Sequence, residues 1–278
     1  MIERHQDYQL TIPTLPVGGL MGVTLQLDSD APFALRLTKT RNMPATGYRF
    51  RNPRGIYIDS TYETDLGLRG TVRYPQMVYG ANGNLVVDVP NNTGAPVSNV
   101  KILFRGSKLY RDGQIEAPTY PDKCSLFPWT YPIIAQAVPI QTNGLFNNIQ
   151  LQISSDSDFA LRYAFADAFH YNPPGVNWPG TSGFGNYEEC YITLRDANYK
   201  AYSNEPIHID DLFGSINTPV QESPLATLWP GLFTPEIYVP RSGCLFFDIT
   251  RLDTAPPYPA DGNCDIHFRF GGVKVFAR

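Results

Sequence analysis

Charge is scarce in this chain. Only 17% of its 278 residues are Asp, Glu, Lys or Arg, and the net charge is −4 at pH 7. A dedicated nucleic-acid binder carries a basic face, so nucleic acid is not expected as the main partner. The basic residues Lys39, Arg41, Arg49, Arg51 and Arg54 read as a solvated loop or as a patch facing an acidic partner surface. Long apolar runs are also missing: nowhere do 18 apolar residues follow one another, and the opening MIERHQDYQL has no signal-peptide core. The expectation is a chain made and folded in the cytoplasm, with no membrane partner. Its four cysteines (Cys124, Cys190, Cys244, Cys264) lack CxxC or zinc spacing, so free, mostly buried thiols are expected, with Cys244 and Cys264 the pair to watch for a disulfide.

Catalytic signatures are absent too. There is no GxSxG, GxxxxGK or HExxH, and the four histidines (His5, His170, His208, His267) are scattered. His208 with Asp210 and Asp211 could hold a metal, but alternate residues of a surface strand account for the same pattern. The expectation is therefore no catalytic residue, no cofactor, no metal site and no enzyme. Helical spacing of apolar residues is missing from any long stretch; only residues 208–214 (HIDDLFG) allow one short turn of helix. What the chain has instead is 25 Pro, 23 Gly, 17 Tyr and 16 Phe, the turn formers and aromatics of an all-β protein with short strands.

It also has a repeat. Leu25–Leu37 (LQLDSDAPFALRL) and Leu151–Tyr163 (LQISSDSDFALRY) align without a gap at an offset of 126, with eight of thirteen positions identical. Gly83–Val89 (GNLVVDV) matches Gly243–Ile249 (GCLFFDI) at offset 160, keeping Asp88 and Asp248. Val100–Tyr110 matches Ile266–Phe276 at offset 166, keeping Phe104/Phe270, Gly106/Gly272 and Lys108/Lys274. The growing offset places an insertion of about 34 residues between the first two landmarks of the second copy, as loops permit.

Within the first copy, Tyr8–Ile12 reads as a strand with Tyr8, Leu10 and Ile12 inward and Gln9 and Thr11 outward. Val23, Leu25 and Leu27 share a face. Asp28-Ser29-Asp30 forms a polar turn, and Phe33, Leu35 and Leu37 resume alternation with Arg36 opposite. The aspartates could bind calcium, but Asp28 becomes Ser154 in the second copy. Further strands are expected at Ile56–Ser60, in the VVDV run after the Ala81–Asn84 turn, and at Val100–Phe104 and Lys108–Tyr110. Tyr74-Pro75 reads as a turn. Seven or eight strands in roughly a hundred residues is the count of a sandwich. Residues 111–130, rich in proline, read as a stiff inter-domain segment.

The chain is thus expected to be all-β, with two tandem homologous β-sandwich (jelly-roll-like) domains, 1–117 and 118–278. Phe33, Arg36 and Asp88, with Phe159, Arg162 and Asp248, form the repeated structural core. Arg36 is expected to pair with Asp30 and Arg162 with Asp156, each holding its turn for about 0–1 kcal/mol. Trp129 in the linker, Tyr171, Trp178 and Phe184 in the loop 171–187, and Trp229 in the insertion either pack over domain edges or anchor protein contacts.

The polar turn followed by FALR, the segment Trp229-Pro230-Gly231-Leu232-Phe233-Thr234-Pro235, the Gly-x-Leu-x-x-Asp strand and the closing Phe-x-Gly hairpin together resemble the β-sandwich structural proteins of bacteriophage virions: minor capsid, decoration, collar or tail-associated proteins. The resemblance covers most of both halves. It implies a non-enzymatic virion component, made and assembled in the host cytoplasm, that forms a homo-oligomer or binds other virion proteins. Duplicated jelly rolls also resemble double-jelly-roll major capsid proteins, in which three two-domain chains make a six-fold-like tile. A chain of 278 residues is near the small end for that role, which ranks behind an accessory or connector role. A carbohydrate- or receptor-binding sandwich is the competing class.

Overall fold

The computed structural model describes residues 1–41, 47–52, 54–57, 71–115, 124–139, 145–170, 190–213, 231–251 and 263–277. Two compact units divide the chain, Met1–Ala117 and Pro118–Arg278. The first contains β1 (Ile2–Leu15), β2 (Leu20–Gln26), β3 (Phe33–Arg41), β4 (Arg49–Phe50), β5 (Thr71–Tyr79), β6 (Asn84–Pro90) and β7 (Val97–Tyr110). These form two sheets, in the orders β1-β7-β3-β5 and β2-β6-β4, with every pairing antiparallel. First strand pairs with last, second with second-last, third with third-last. This nesting is a jelly roll.

The second unit repeats it. It contains β8 (Cys124–Pro139), β9 (Leu145–Gln152), β10 (Asp158–His170), β11 (Cys190–Arg195), β12 (Ile207–His208), α1 (Ile209–Phe213), β13 (Gly231–Val239), β14 (Cys244–Arg251) and β15 (Asn263–Ala277). The sheet orders are β8-β15-β10-β13 and β9-β14-β11-β12. The all-β sandwich expected from sequence is therefore the fold, and the short helix α1 falls where a helical turn was expected.

Each core lies between its two sheets, because alternate residues of every strand turn inward. In the first unit Tyr8, Leu10, Phe33, Leu35, Ile102 and Phe104 from one sheet meet Leu85, Val87, Val89 and Phe50 from the other in one buried cluster. In the second, Phe247 of β14 packs against Phe268 and Phe270 of β15 at ring distances of 4.8 and 5.5 Å.

Several local expectations change. Strand β1 is far longer than Tyr8–Ile12, and Gln9, expected outward in water, is buried. Tyr74-Pro75 lies inside β5, where the pairing with β3 slips, and Pro235 takes the same place in β13. A slipped ladder tolerates the missing N–H. Val100–Tyr110 is one continuous strand. Residues 124–130 are not linker: they open β8, an edge strand that carries Pro128, Pro132 and Pro139. Edge strands accept proline where the N–H would point away from the partner. Cys124 and Cys244 are free and half-buried.

Candidate functional site

The repeated residues meet at one end of each sandwich. In the first unit the Tyr8 ring stands edge-on to Phe33 at 4.9 Å, and its hydroxyl donates to Asp28 Oδ2 at 3.0 Å while accepting from the Asp28 N–H at 3.3 Å. Lys108 Nζ reaches Asp28 at 2.5 Å and Asp30 at 2.7 Å, and the Tyr110 hydroxyl donates to Asp30 at 2.6 Å. Burial, followed by the neighbouring carboxylates, pushes the Tyr8 and Tyr110 hydroxyls above their ordinary range. The second unit has the same geometry. Tyr131 stands edge-on to Phe159 at 4.9 Å, accepts from the Ser154 N–H at 3.3 Å and bonds Ser154 Oγ at 2.7 Å, and Lys274 reaches Asp156 at 2.9 Å. Hydrogen bonds from Ser154 and Lys274 bring the Asp156 carboxyl down to about 2.

The lysine needs a close strand pair, and glycine provides it. A Cβ on Gly106 would meet the Ala34 carbonyl oxygen at 2.0 Å, and one on Gly272 would meet that of Ala160 at 2.0 Å. Gln26 and Gln152 tie the neighbouring turn by donating to the carbonyls of Asn82 (2.7 Å) and Ser242 (2.9 Å), residues that share positive φ angles of 59° and 56°.

The expected arginine pairs do not form. Arg36 and Arg162 both sit where β3 and β10 slip register, so their side chains leave the polar turn. Arg36 binds Glu3 of β1, and Arg162 binds Glu236 of β13 at 2.8 Å. The turn aspartates are already held by Lys108 and Lys274.

Asp88 and Asp248 have arginine partners too. Arg51 lies 3.9 Å from Asp88 and Arg195 3.0 Å from Asp248. Each arginine precedes the same turn: Asn52 Oδ1 accepts from the N–H groups of Arg54 and Ile56, and Asp196 Oδ1 from those of Asn198 and Lys200. This landmark, at offset 144, splits the insertion into two parts. The pairs Arg51-Asn52 and Arg195-Asp196 were its only signal in the sequence, and Tyr8/Tyr131 at offset 123 was the signal for the ring pair. The basic cluster around Arg49 is no plain solvated loop either, since Arg49 and Arg51 lie over the Tyr57 ring at 3.6 and 4.7 Å.

The exposed candidate surface is β8, the edge strand of its sheet. Leu126, Phe127 and Trp129 are about half exposed, and Ile134 follows on the same strand. The Phe127 and Trp129 rings lie 6.4 Å apart, and Lys274 Nζ sits 4.6 Å from the Trp129 ring. At matching positions β1 has Glu3, Arg4 and Gln6. Exposed apolar side chains on a strand edge mark contact surfaces, while Pro128 and Pro132 discourage a further strand from pairing there. Trp129 is thus a strand residue, not a linker residue. Tyr171, Trp178, Phe184 and Trp229 lie outside the described residues. His208, expected on a surface strand, is buried edge-on against Tyr191 at 5.3 Å.

No family model matches the chain, and no curated protein matches it. Among solved structures, one of peptide-N(4)-(N-acetyl-β-D-glucosaminyl) asparagine amidase aligns with 99% of this chain and 97% of its own, at 11% identity and TM-score 0.24. A recombinant N-glycanase F aligns over 97% and 99%, at 11% and 0.23. PBCV-1 VP54, fitted into a reconstruction of the virophage Sputnik, aligns over 99% and 94%, at 10% and 0.25. These alignments correct the expectation that the chain is no enzyme, since two of the three structures are of enzymes. At these TM-scores the alignments assign this chain neither an activity nor a partner.

Proposed function

We propose that the chain is a structural subunit of a virus particle, by its resemblance a bacteriophage, and that it assembles with copies of itself and with other virion proteins. The observation that carries this reading is the duplication: both units nest their strands in the same jelly-roll order, with the same polar turn, slipped arginine and glycine contact. Two matched jelly rolls per chain favour the tile-forming coat protein over the accessory role, since a tile needs near-equivalent units. The apolar edge of β8 is the surface offered to a neighbour.

Light scattering of the purified protein across a concentration series tests the reading. A trimer that persists on dilution is the expected result, and a six- or twelve-membered ring would favour a connector. A strict monomer overturns self-assembly. The double variant Phe127→Ser, Trp129→Ser, which changes two exposed side chains, is expected to shift the mass toward monomer by removing aromatic contacts worth about 2 kcal/mol or more.

A further inference from the structure

The outward face of the sheet β9-β14-β11-β12 carries a flat aromatic surface, the Tyr199 ring on Phe246. Tyr199 sits at the tip of the turn after β11 with a φ of 59°, a left-handed conformation that a bulky side chain rarely adopts. The matching turn in the first unit has Gly55, with a φ of 77°. Both tips are fixed by the same contact, Gly55 N–H to the Asn52 carbonyl and Tyr199 N–H to the Asp196 carbonyl, each at 2.9 Å. The backbone therefore demands a positive φ in both units, and only the first meets it with the unstrained residue. A strained residue kept in place points to a use for its side chain.

That side chain is a platform. The Tyr199 ring stacks on Phe246 at 4.7 Å and 11°, and the residue stays 54% exposed. Val86 occupies the position of Phe246 in the first unit, as the pairings of Arg51 and Arg195 fix. Around Phe246 lie planar polar groups. Gln150 faces it across β9 and donates to Gln152 Oε1 at 2.8 Å. Arg195 faces it across β11 and pairs with Asp248 at 3.0 Å.

We infer that this face binds a neutral pyranose carbohydrate, with Tyr199 as the stacking platform. The C–H face of a pyranose is apolar and slightly positive, and it packs on the negative face of an aromatic ring. Its adjacent hydroxyls both donate and accept, matching amide, guanidinium and carboxylate groups side by side. Asp248 balances the charge of Arg195, so the face favours a neutral sugar over an anion. Jelly rolls also serve as lectin domains, but the residues named here carry the assignment.

Saturation-transfer NMR on the full chain tests it, with cellobiose, lactose and N,N′-diacetylchitobiose as probes. The expected result is transfer to the ring C–H protons of at least one disaccharide. Tyr199→Gly is expected to weaken that binding about tenfold or more while leaving the melting temperature unchanged or raised, because glycine relieves the positive φ. Absence of transfer from all three sugars, or unchanged binding by the variant, overturns the inference. A variant that instead changes the oligomeric mass, with no sugar bound by the parent, shows a contact between copies and also overturns it. None of these sugar results depends on whether the chain proves to be a trimer or a monomer.

Discussion

The two units share one backbone plan and stabilise the outer face of the same sheet by opposite means. In the first unit Asp7 of β1 and Arg105 of β7 form a buried pair, with contacts at 3.0, 3.2 and 2.8 Å. His5 lies 3.4 Å from the same carboxylate. In the second unit those positions are Thr130 and Gly271, and Tyr163 occupies the room. A Cβ on Gly271 would lie 2.1 Å from the Tyr163 ring. Beside it, Ala160, Val273 and Val275 form an apolar cluster with Cys124 and Tyr238, where the first unit has Ser107 opposite Ala34. A buried ion pair and well-packed apolar groups can be near-equal solutions to one packing problem, and the duplication holds both. They differ in what happens when one member is lost.

The largest expected effect follows from that difference. Asp7→Ala leaves Arg105 buried without its carboxylate and is expected to cost about 3–5 kcal/mol. Thr130→Ala, at the matching exposed position, is expected to stay within about 0.5 kcal/mol. Hydrogen exchange of β7 and β15 reads the two units separately; equal protection losses would sink the comparison. Acid sharpens it. Burial alone would raise the Asp7 carboxyl, but Arg105 and His5 outweigh it and hold the group well below the usual carboxylate range. With the folded value depressed, the stabilisation is complete above the unfolded value of about 4 and fades as pH falls toward the folded one. The advantage of the parent over Asp7→Ala should therefore shrink steadily below about pH 4, and a growing advantage would contradict it.

The repeat was legible in the sequence because identical backbone demands leave identical residues. A Cβ on Gly106 or Gly272 would meet a carbonyl oxygen at 2.0 Å, and Gln26 and Gln152 tie turns of positive φ; neither task tolerates much substitution. Partner choice was not legible. Arg36 and Arg162 look like turn residues in one dimension, but a slipped register sends them to Glu3 and Glu236. The start of β8 was hidden because Pro128 and Pro132 read as linker, and only the strand's place at the sheet edge makes them compatible with pairing. Of the proposed surfaces, the SLFPWT run was visible as composition but assigned to the linker. Tyr199 had no signal, since nothing in its neighbourhood marks a positive φ that a glycine would normally supply.

A second test asks whether the shared contact is equally strict in both units. Gly106→Ala and Gly272→Ala each place a methyl group into backbone, and at Gly106 that methyl would also lie 2.9 Å from the Phe33 ring. Each is expected to cost about 2–3 kcal/mol, read as lost protection in β7 and β15 respectively. If one variant is tolerated while the other is not, the equivalence drawn between the two strand pairs fails at its closest point.

The smallest expected effect concerns the slipped arginines, and it tests geometry more than strength. Both ion pairs are partly exposed, so water and salt screen them, and each is worth about 1 kcal/mol or less. Their value lies in direction. Double-mutant cycles should find coupling between Arg36 and Glu3, and between Arg162 and Glu236, that weakens in high salt. Coupling of Arg36 to Asp30, or of Arg162 to Asp156, should be near zero, because Lys108 and Lys274 already hold those carboxylates. The two cycles also differ in topology. Glu3 ties β3 toward the edge strand β1, whereas Glu236 ties β10 to β13 on its other side. Position 76, which matches Glu236, is glutamine in the first unit, so its arginine has no carboxylate at that position and turns to β1. Gln76→Glu should therefore draw Arg36 away from Glu3 and lower their coupling; an unchanged Arg36–Glu3 term would show that the register slip alone, and not the charge at position 76, decides which neighbour the arginine takes.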